Sequence, residues 1–331
     1  MRPRWPVLAL ILLAPSIPEL LTGSTPITTL FDAPVFFALS FLGIVALYGG
    51  GALLIREFVV YFHKGWASVL LLGAAYGIGE EGFAVHTFFE PSGMPVDALG
   101  QYGHALGVDW LWALGLTIFH ATYSIALPIL LTGLIFPRER EVRWLDRGAV
   151  AITAAAYLFI VVLFSVVVGH GPSPPAFVLF LAIGLILIAL ARWVPREFLR
   201  PRAGPARIGA WGLAIVAALP FGFWTVVLIL SSHPLVSAYV TGALTVLVGL
   251  GALAVILHSA GSEHPEWTKF YLATGMLGIL FGWDVIVEFS VPGILLVTAC
   301  FVYLLYWLRR RMRAREAAAT PPLPSAGVPD G

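Results

Sequence analysis

Two adjacent glutamates, Glu80 and Glu81, interrupt the apolar run LLLGAAYGIGEEGFAVH, and the next apolar run, LTIFHATYSIALP, carries a histidine at position 120. An acidic residue near the centre of a bilayer costs at least about 2.5–3.5 kcal/mol on insertion scales, so such residues face a bundle interior or a wet cavity and take a partner there. Neighbouring helical residues point about 100° apart, which lets one glutamate face a cavity while the other lies at a helix contact. Two negative charges that close in low dielectric do not both stay ionised. The pair therefore reads as a proton carrier or a cation ligand. Neutral imidazole is the side chain that accepts from a protonated glutamate or ligates a metal. The residues name neither a particular metal nor a cofactor.

The elements that must position these groups follow from composition. The chain has 331 residues, of which 59% are hydrophobic and 11% charged, with a mean hydropathy of +0.92. That is far more apolar surface than a water-soluble globule of this length buries. The predicted fold class is all-α, a polytopic integral membrane helix bundle. Runs long enough to cross about 30 Å of hydrocarbon lie near 5–22, 34–55, 66–88, 109–136, 148–168, 175–193, 209–231, 235–257, 268–284 and 290–308. The ninth is short. If the chain starts inside and alternates, all 19 basic residues fall on one side, as the positive-inside rule requires. The expectation is thus about ten transmembrane helices over 1–309, both termini cytoplasmic, in a prokaryotic plasma membrane. Residues 310–331 form a basic and then disordered cytoplasmic tail, rich in Ala and Pro. Met1–Gly23 also has the basic start and apolar stretch of a secretory signal, although PELLTGSTP is a poor small-residue cleavage site. The single cysteine, Cys300, excludes a disulfide framework and a Cys-rich metal site. Nothing resembles a phosphate-binding glycine loop, a haem ligand pair or a nucleic-acid surface.

Charge placement separates the acids. Nine of the 18 carboxylates share the basic loops; the other nine, Glu19, Asp32, Glu80, Glu81, Glu90, Asp97, Asp109, Asp284 and Glu288, lie toward the opposite side, where no lysine or arginine exists. Water is expected to satisfy Asp32, Asp97, Asp109 and Glu90. With the third helix centred near Gly77, Glu80 sits roughly 5 Å outward of the midplane and His86 roughly 13 Å. The fourth helix, centred near Thr122, places His120 about 3 Å outward, so the three groups share a depth on consecutive antiparallel helices. Thr117, His120 and Ser124 form a polar stripe at i, i+3 and i+7, ending one turn before Pro128. Such a stripe also serves as a plain helix-to-helix hydrogen-bond seam.

Further candidates are placed at the outer side. Glu19, in APSIPELLTG, lies where Pro15 and Pro18 are expected to break the first helix; it either approaches the site or reaches water. Asp284 and Glu288 share a face at i, i+4 and read as solvated loop acids. His86 and Glu90 have the same spacing and read as an interfacial pair, and His104, His170 and His233 as solvated loop histidines. The glycine triplet in YGGGALLIRE permits close helix approach.

Adjacent glutamates on one membrane helix with a histidine on the next resemble the CPBP intramembrane endopeptidases, relatives of the CAAX prenyl proteases. Their pattern is Glu-Glu-x-x-x-Arg, then Phe-x-x-x-His, then His-x-x-x-Asn or Asp. Glu80 and Glu81 match the first pair, with Val85 at the arginine's place. His120 answers the second motif, with Leu116 for the phenylalanine; if it instead opens the third, Ser124 stands where the amide belongs. The resemblance covers the third and fourth helices. It implies a glutamate-activated water attacking a peptide bond inside the membrane while His120 polarises the carbonyl, which requires a base and an electrophile about 3 Å from the reacting atom. Three readings stand: transport or binding of a proton or cation at an acidic cavity, hydrolysis of a membrane-embedded peptide, and a scaffold whose glutamates only knit helices. The expected surroundings are the lipid bilayer, with no nucleic-acid partner.

Overall fold

The computed structural model describes residues 4–89, 102–169 and 171–319. It is an all-α bundle. Helix α1 covers 4–20, α2 34–61, α3 66–84, α4 Trp110–Ile135, α5 Arg147–Val168, α6 Pro174–Trp193, α7 Ala210–Leu230, α8 Ala238–Ser259, α9 Pro265–Ile286 and α10 Ile294–Ala319. Among the described residues seven helices are long and apolar enough to cross a membrane: α4 to α9 and the Ala38–Tyr61 part of α2. Four boundaries depart from the predicted runs. Helix α2 runs on to Tyr61, α3 stops at Ala84, α9 reaches 22 residues and α10 continues to Ala319, so the basic cluster at 309–315 is helical. Glu90, Asp97, His170 and residues 320–331 lie outside the described residues. A two-residue hairpin, β1 (His104–Ala105) paired antiparallel with β2 (Val108–Asp109), precedes α4. Its turn places Leu106 and Gly107 at positive φ, the requirement of a tight hairpin whose twist matches its strands.

Two apolar clusters share α1 and α4. Leu10, Tyr48, Leu53, Val69, Leu72, Ile125 and Ile160 form one, from α1 to α5. Ile17, Tyr123, Leu127, Leu131, Leu277, Val297 and Leu305 form the other, tying α1 and α4 to α9 and α10. Helix α5 by contrast presents most of its surface outward, with Ile152, Phe159, Val162 and Val166 exposed, as a helix facing lipid does.

Among the described residues four helices widen from α to π geometry, at Ser16–Leu20, Val45–Gly49, Ile78–Ala84 and His120–Ala126. Prolines account for part of this. A proline frees and crowds the carbonyl four residues earlier; for Pro128 that carbonyl belongs to Ser124, inside the widened turn of α4. Pro15 and Pro18 do not break α1 as predicted: the helix absorbs them by widening. The Ile11 carbonyl that Pro15 frees lies under Gly49, where a Cβ would come within 2.7 Å of it.

Glycines 73 and 77, four apart on α3, let that helix seat against α4. A Cβ at Gly73 would meet the Ala121 Cα at 2.8 Å, and one at Gly77 the His120 Cβ at 3.0 Å. This is the small-residue contact by which membrane helices approach closely in the absence of a hydrophobic driving force. Gly73→Val therefore forces α3 and α4 apart and destabilises the protein by about 1–3 kcal/mol, the range for overpacking. Gly133→Ala, where nothing lies within 4 Å, does not lower the melting temperature in detergent and raises stability by at most about 1 kcal/mol through helix propensity.

Candidate functional site

The four widened turns converge on one cluster. Pi-helical turns are rare and occur frequently at functional sites; here they carry Glu19, Tyr48, the Glu80–Glu81 pair, and His120 with Ser124. The His120 Nε2 lies 2.8 Å from Glu81 Oε1, and its Nδ1 lies 2.9 Å from Ser124 Oγ and 3.2 Å from Glu80 Oε2. One imidazole thus stands between two carboxylates. His120 and Ser124 are at most 1% exposed, Glu80 and Glu81 3% and 7%.

Each group is held from behind. Helix α3 ends at Ala84, and His86 takes φ 60°, a left-handed conformation that histidine tolerates better than most side chains. The chain then doubles back so that Thr87 donates to the second oxygen of Glu81. Glu19 accepts from Tyr48 Oη at 2.7 Å and from Thr25 Oγ1 at 2.7 Å, and it interacts electrostatically with Glu81 and His120. The rings of Tyr48, Tyr76 and His120 stand 6.0 Å from one another, centroid to centroid, and wall the cluster with aromatic surface. Tyr48 and Tyr76 lie within interaction range of Glu80. Glu80 Oε2 and Tyr76 Oη are buried without a hydrogen-bond partner.

Charge does not balance. Three carboxyl groups face one imidazole, and among the described residues no lysine or arginine pairs with Glu19, Glu80 or Glu81. A neutral imidazole donates from one nitrogen only, and an imidazolium from both; even the latter leaves two negative charges if every carboxyl is ionised. Protons or a cation supply the difference. The Glu80, Glu81 and His120 ligand atoms lie within 4.8 Å of one another, a spread that closes on an ion holding O and N ligands at about 2.0–2.2 Å after small side-chain adjustments.

The other predicted residues divide. Glu19 joins the cluster through Tyr48. Thr117 stays outside it, half-buried, with its backbone beneath Gly77. His86 is buried and lies 3.2 Å from Ser165 Oγ; α3 ends before it, so it does not share a helix face with the residues beyond. Asp284 is not a solvated loop acid: it is wholly buried inside α9 and accepts from Thr298 Oγ1 at 2.6 Å. Glu288 lies past the end of α9, half-buried. Asp109, assigned to water, is 1% exposed and lies 2.7 Å from His104 Nδ1. Burial pushes its carboxyl up from the ordinary aspartate range, and the hydrogen bond and charge of His104 oppose that rise.

Tyr48, Tyr76, Thr25 and Thr87 were not singled out from sequence. A signal existed for Tyr76, four residues before Glu80 on one helix, and for Tyr48, which precedes the glycine triplet. Gly51 admits the Tyr76 ring, whose Cε2 would stand 2.4 Å from a Cβ there. Removing one member of a buried charged set costs about 3–5 kcal/mol, because the rest are left uncompensated. His120→Ala lowers the unfolding free energy in detergent by that amount, and Ser124→Ala, which removes a single hydrogen bond, by about 1 kcal/mol.

An uncharacterized membrane protein family matches residues 8–206, which contain α2 to α6, nearly all of α1, and Glu19, Tyr48, Tyr76, Glu80, Glu81, His120 and Ser124. No curated protein and no solved structure matches the chain. The chain is an integral membrane protein and belongs to that uncharacterized membrane protein family.

Proposed function

We propose that this protein binds a cation at Glu80, Glu81 and His120 in exchange for protons, and that the exchange drives transport. The observation that supports this is a buried triad of ligand atoms within 4.8 Å of one another, with no lysine or arginine among the described residues paired to it. The His120–Glu81 hydrogen bond and the close approach of Glu80 to His120 are the contacts a cation replaces. When the ion enters, the protons on imidazole and carboxyl leave, so binding and proton release are stoichiometrically linked. Tyr48 and Tyr76 keep lipid from the centre, and Glu19, hydrogen-bonded to Tyr48, provides a third carboxyl along which a proton moves. Titration of the purified protein with manganese or zinc ions in weakly buffered detergent solution tests this. Wild type takes up one ion with release of at least one proton. Glu80→Gln, Glu81→Gln and His120→Ala each abolish both signals, and Glu288→Gln leaves them intact. Ion uptake that persists in all three variants sinks the reading.

A second reading rests on a different feature. Glu80 Oε2 accepts no hydrogen bond and stands 3.2 Å from the His120 ring, the disposition of a general base beside an electrophile. With the resemblance to the CPBP endopeptidases, this supports peptide hydrolysis within the membrane by Glu80-activated water. A fluorogenic membrane-embedded peptide in proteoliposomes separates the two. Hydrolysis that falls at least about 100-fold in Glu80→Gln, the lower range for loss of a general base, selects the hydrolase. If Gln at both glutamates and Ala at 120 change neither ion binding nor cleavage, the triad is a seam between α3 and α4.

A further inference from the structure

A second site lies at the other end of α3. The basic connections meet at one end of the bundle: Lys64 Nζ donates to the Val194 carbonyl at 3.1 Å, Arg196 pairs with Glu141 at 2.7 Å, Arg140 with Glu266 at 2.6 Å, and Arg315 reaches the Leu134 and Ile135 carbonyls at 3.3 Å. Between them is a cavity of about 420 Å³ lined by Arg56, Lys64, Arg140, Arg196, Arg200 and Lys269. Val69 in its wall and Glu80 in the acidic cluster lie eleven residues apart on α3, about 16 Å along the helix.

The cations there outnumber their acids. Glu266 is shared by Arg140 and Lys269, and Glu57 by Arg56 and Arg143. Glu197 pairs with Arg200 through two largely exposed side chains, an arrangement that holds its arginine weakly. No carboxylate pairs with Lys64 among the described residues. Arg56 is 4% exposed and fixed by three backbone carbonyls and by the Trp144 ring, 3.6 Å below its guanidinium. Arg140 Nε is buried without a hydrogen-bond partner. The inner wall is apolar, built from Val59, Trp66, Val69 and Ile129.

We propose that this cavity binds the phosphate group of an anionic ligand, with Lys64 and Arg200 as the groups that close on it. A cationic rim over an apolar wall at the end of a helix bundle fits a phosphate carried on a hydrophobic body. Phospholipid headgroups and free phosphate share this chemistry, since basic pockets between membrane helices take anionic headgroups and arginine matches phosphate oxygens through its planar fork.

The test measures melting temperature of the full-length protein in detergent during titration with dioleoyl phosphatidylglycerol, dioleoyl phosphatidylcholine and inorganic phosphate. Phosphatidylglycerol stabilises wild type saturably and phosphatidylcholine does not. Lys64→Gln and Arg200→Gln each weaken the apparent affinity about fivefold, the effect of one cationic side chain on an anionic lipid. Arg202→Gln, exposed on the same face outside the cavity, does not. Inorganic phosphate that stabilises with the same dependence on Lys64 and Arg200, where phosphatidylglycerol adds nothing, assigns the site to a soluble phosphate compound and keeps the chemistry. Equal stabilisation by both lipids, or affinities unchanged in Lys64→Gln and Arg200→Gln, overturns the proposal. The Arg200 side chain is largely exposed, so its variant folds and the result is readable even if the Lys64 variant does not.

Discussion

His120 sits between Glu81 on one ring nitrogen and Glu80 on the other, and among the described residues no lysine or arginine pairs with either carboxyl. Buried carboxyl groups without a cation are tolerated only where hydrogen bonds, protons or a bound ion take up the charge. The protein meets this with one imidazole, two threonines, one serine and one tyrosine, drawn from α2, α4 and the two segments that follow α1 and α3. The widened turns follow from the same need. Each π turn shifts the register of its helix and re-aims a side chain that an uninterrupted α-helix would direct elsewhere, and all four meet at the cluster.

Close helix approach makes the arrangement possible. Gly73 and Gly77 bring α3 onto α4 until the backbone of Ala121 and the Cβ of His120 are in contact range; Gly49 and Gly51 bring α2 against α1 and the Tyr76 ring. Side chains at these positions would hold the helices apart and stretch the bonds between helices, 2.7 Å for Tyr48–Glu19 and 2.8 Å for His120–Glu81, past their useful length. The glycines of a membrane bundle thus set polar distances as well as apolar packing.

The opposite end solves the reverse problem. There the acids are fewer than the cations, and the ion pairs Arg56–Glu57, Arg140–Glu266 and Arg196–Glu141 hold the basic connections together without neutralising them. One molecule thus has an acidic centre short of cations and a basic mouth short of anions, joined by α3. Each imbalance is a reason to expect a bound ion of the missing sign.

Sequence by itself determined the all-α membrane class, the places of the helices and the choice of Glu80, Glu81 and His120, because the apolar content, the run lengths and the one-sided lysines and arginines are properties of composition and order. Alternation also placed the three groups at a common depth. Tertiary structure alone decided which polar side chains share the site. Glu19 and Tyr48 are 29 residues apart, and nothing local says that their helices touch. The α-helical period assumed for Asp284, His86 and Thr117 fails where helices end or widen. One inserted residue in a π turn rotates what lies beyond it: Glu80 and Glu81, which an ideal helix points about 100° apart, both reach His120, while Thr117 stays outside the cluster. Asp109 and Asp284 had looked wet because they lie near helix ends, but burial depends on what packs across those ends, and His104 and Thr298 supply the contacts that the chain order does not disclose.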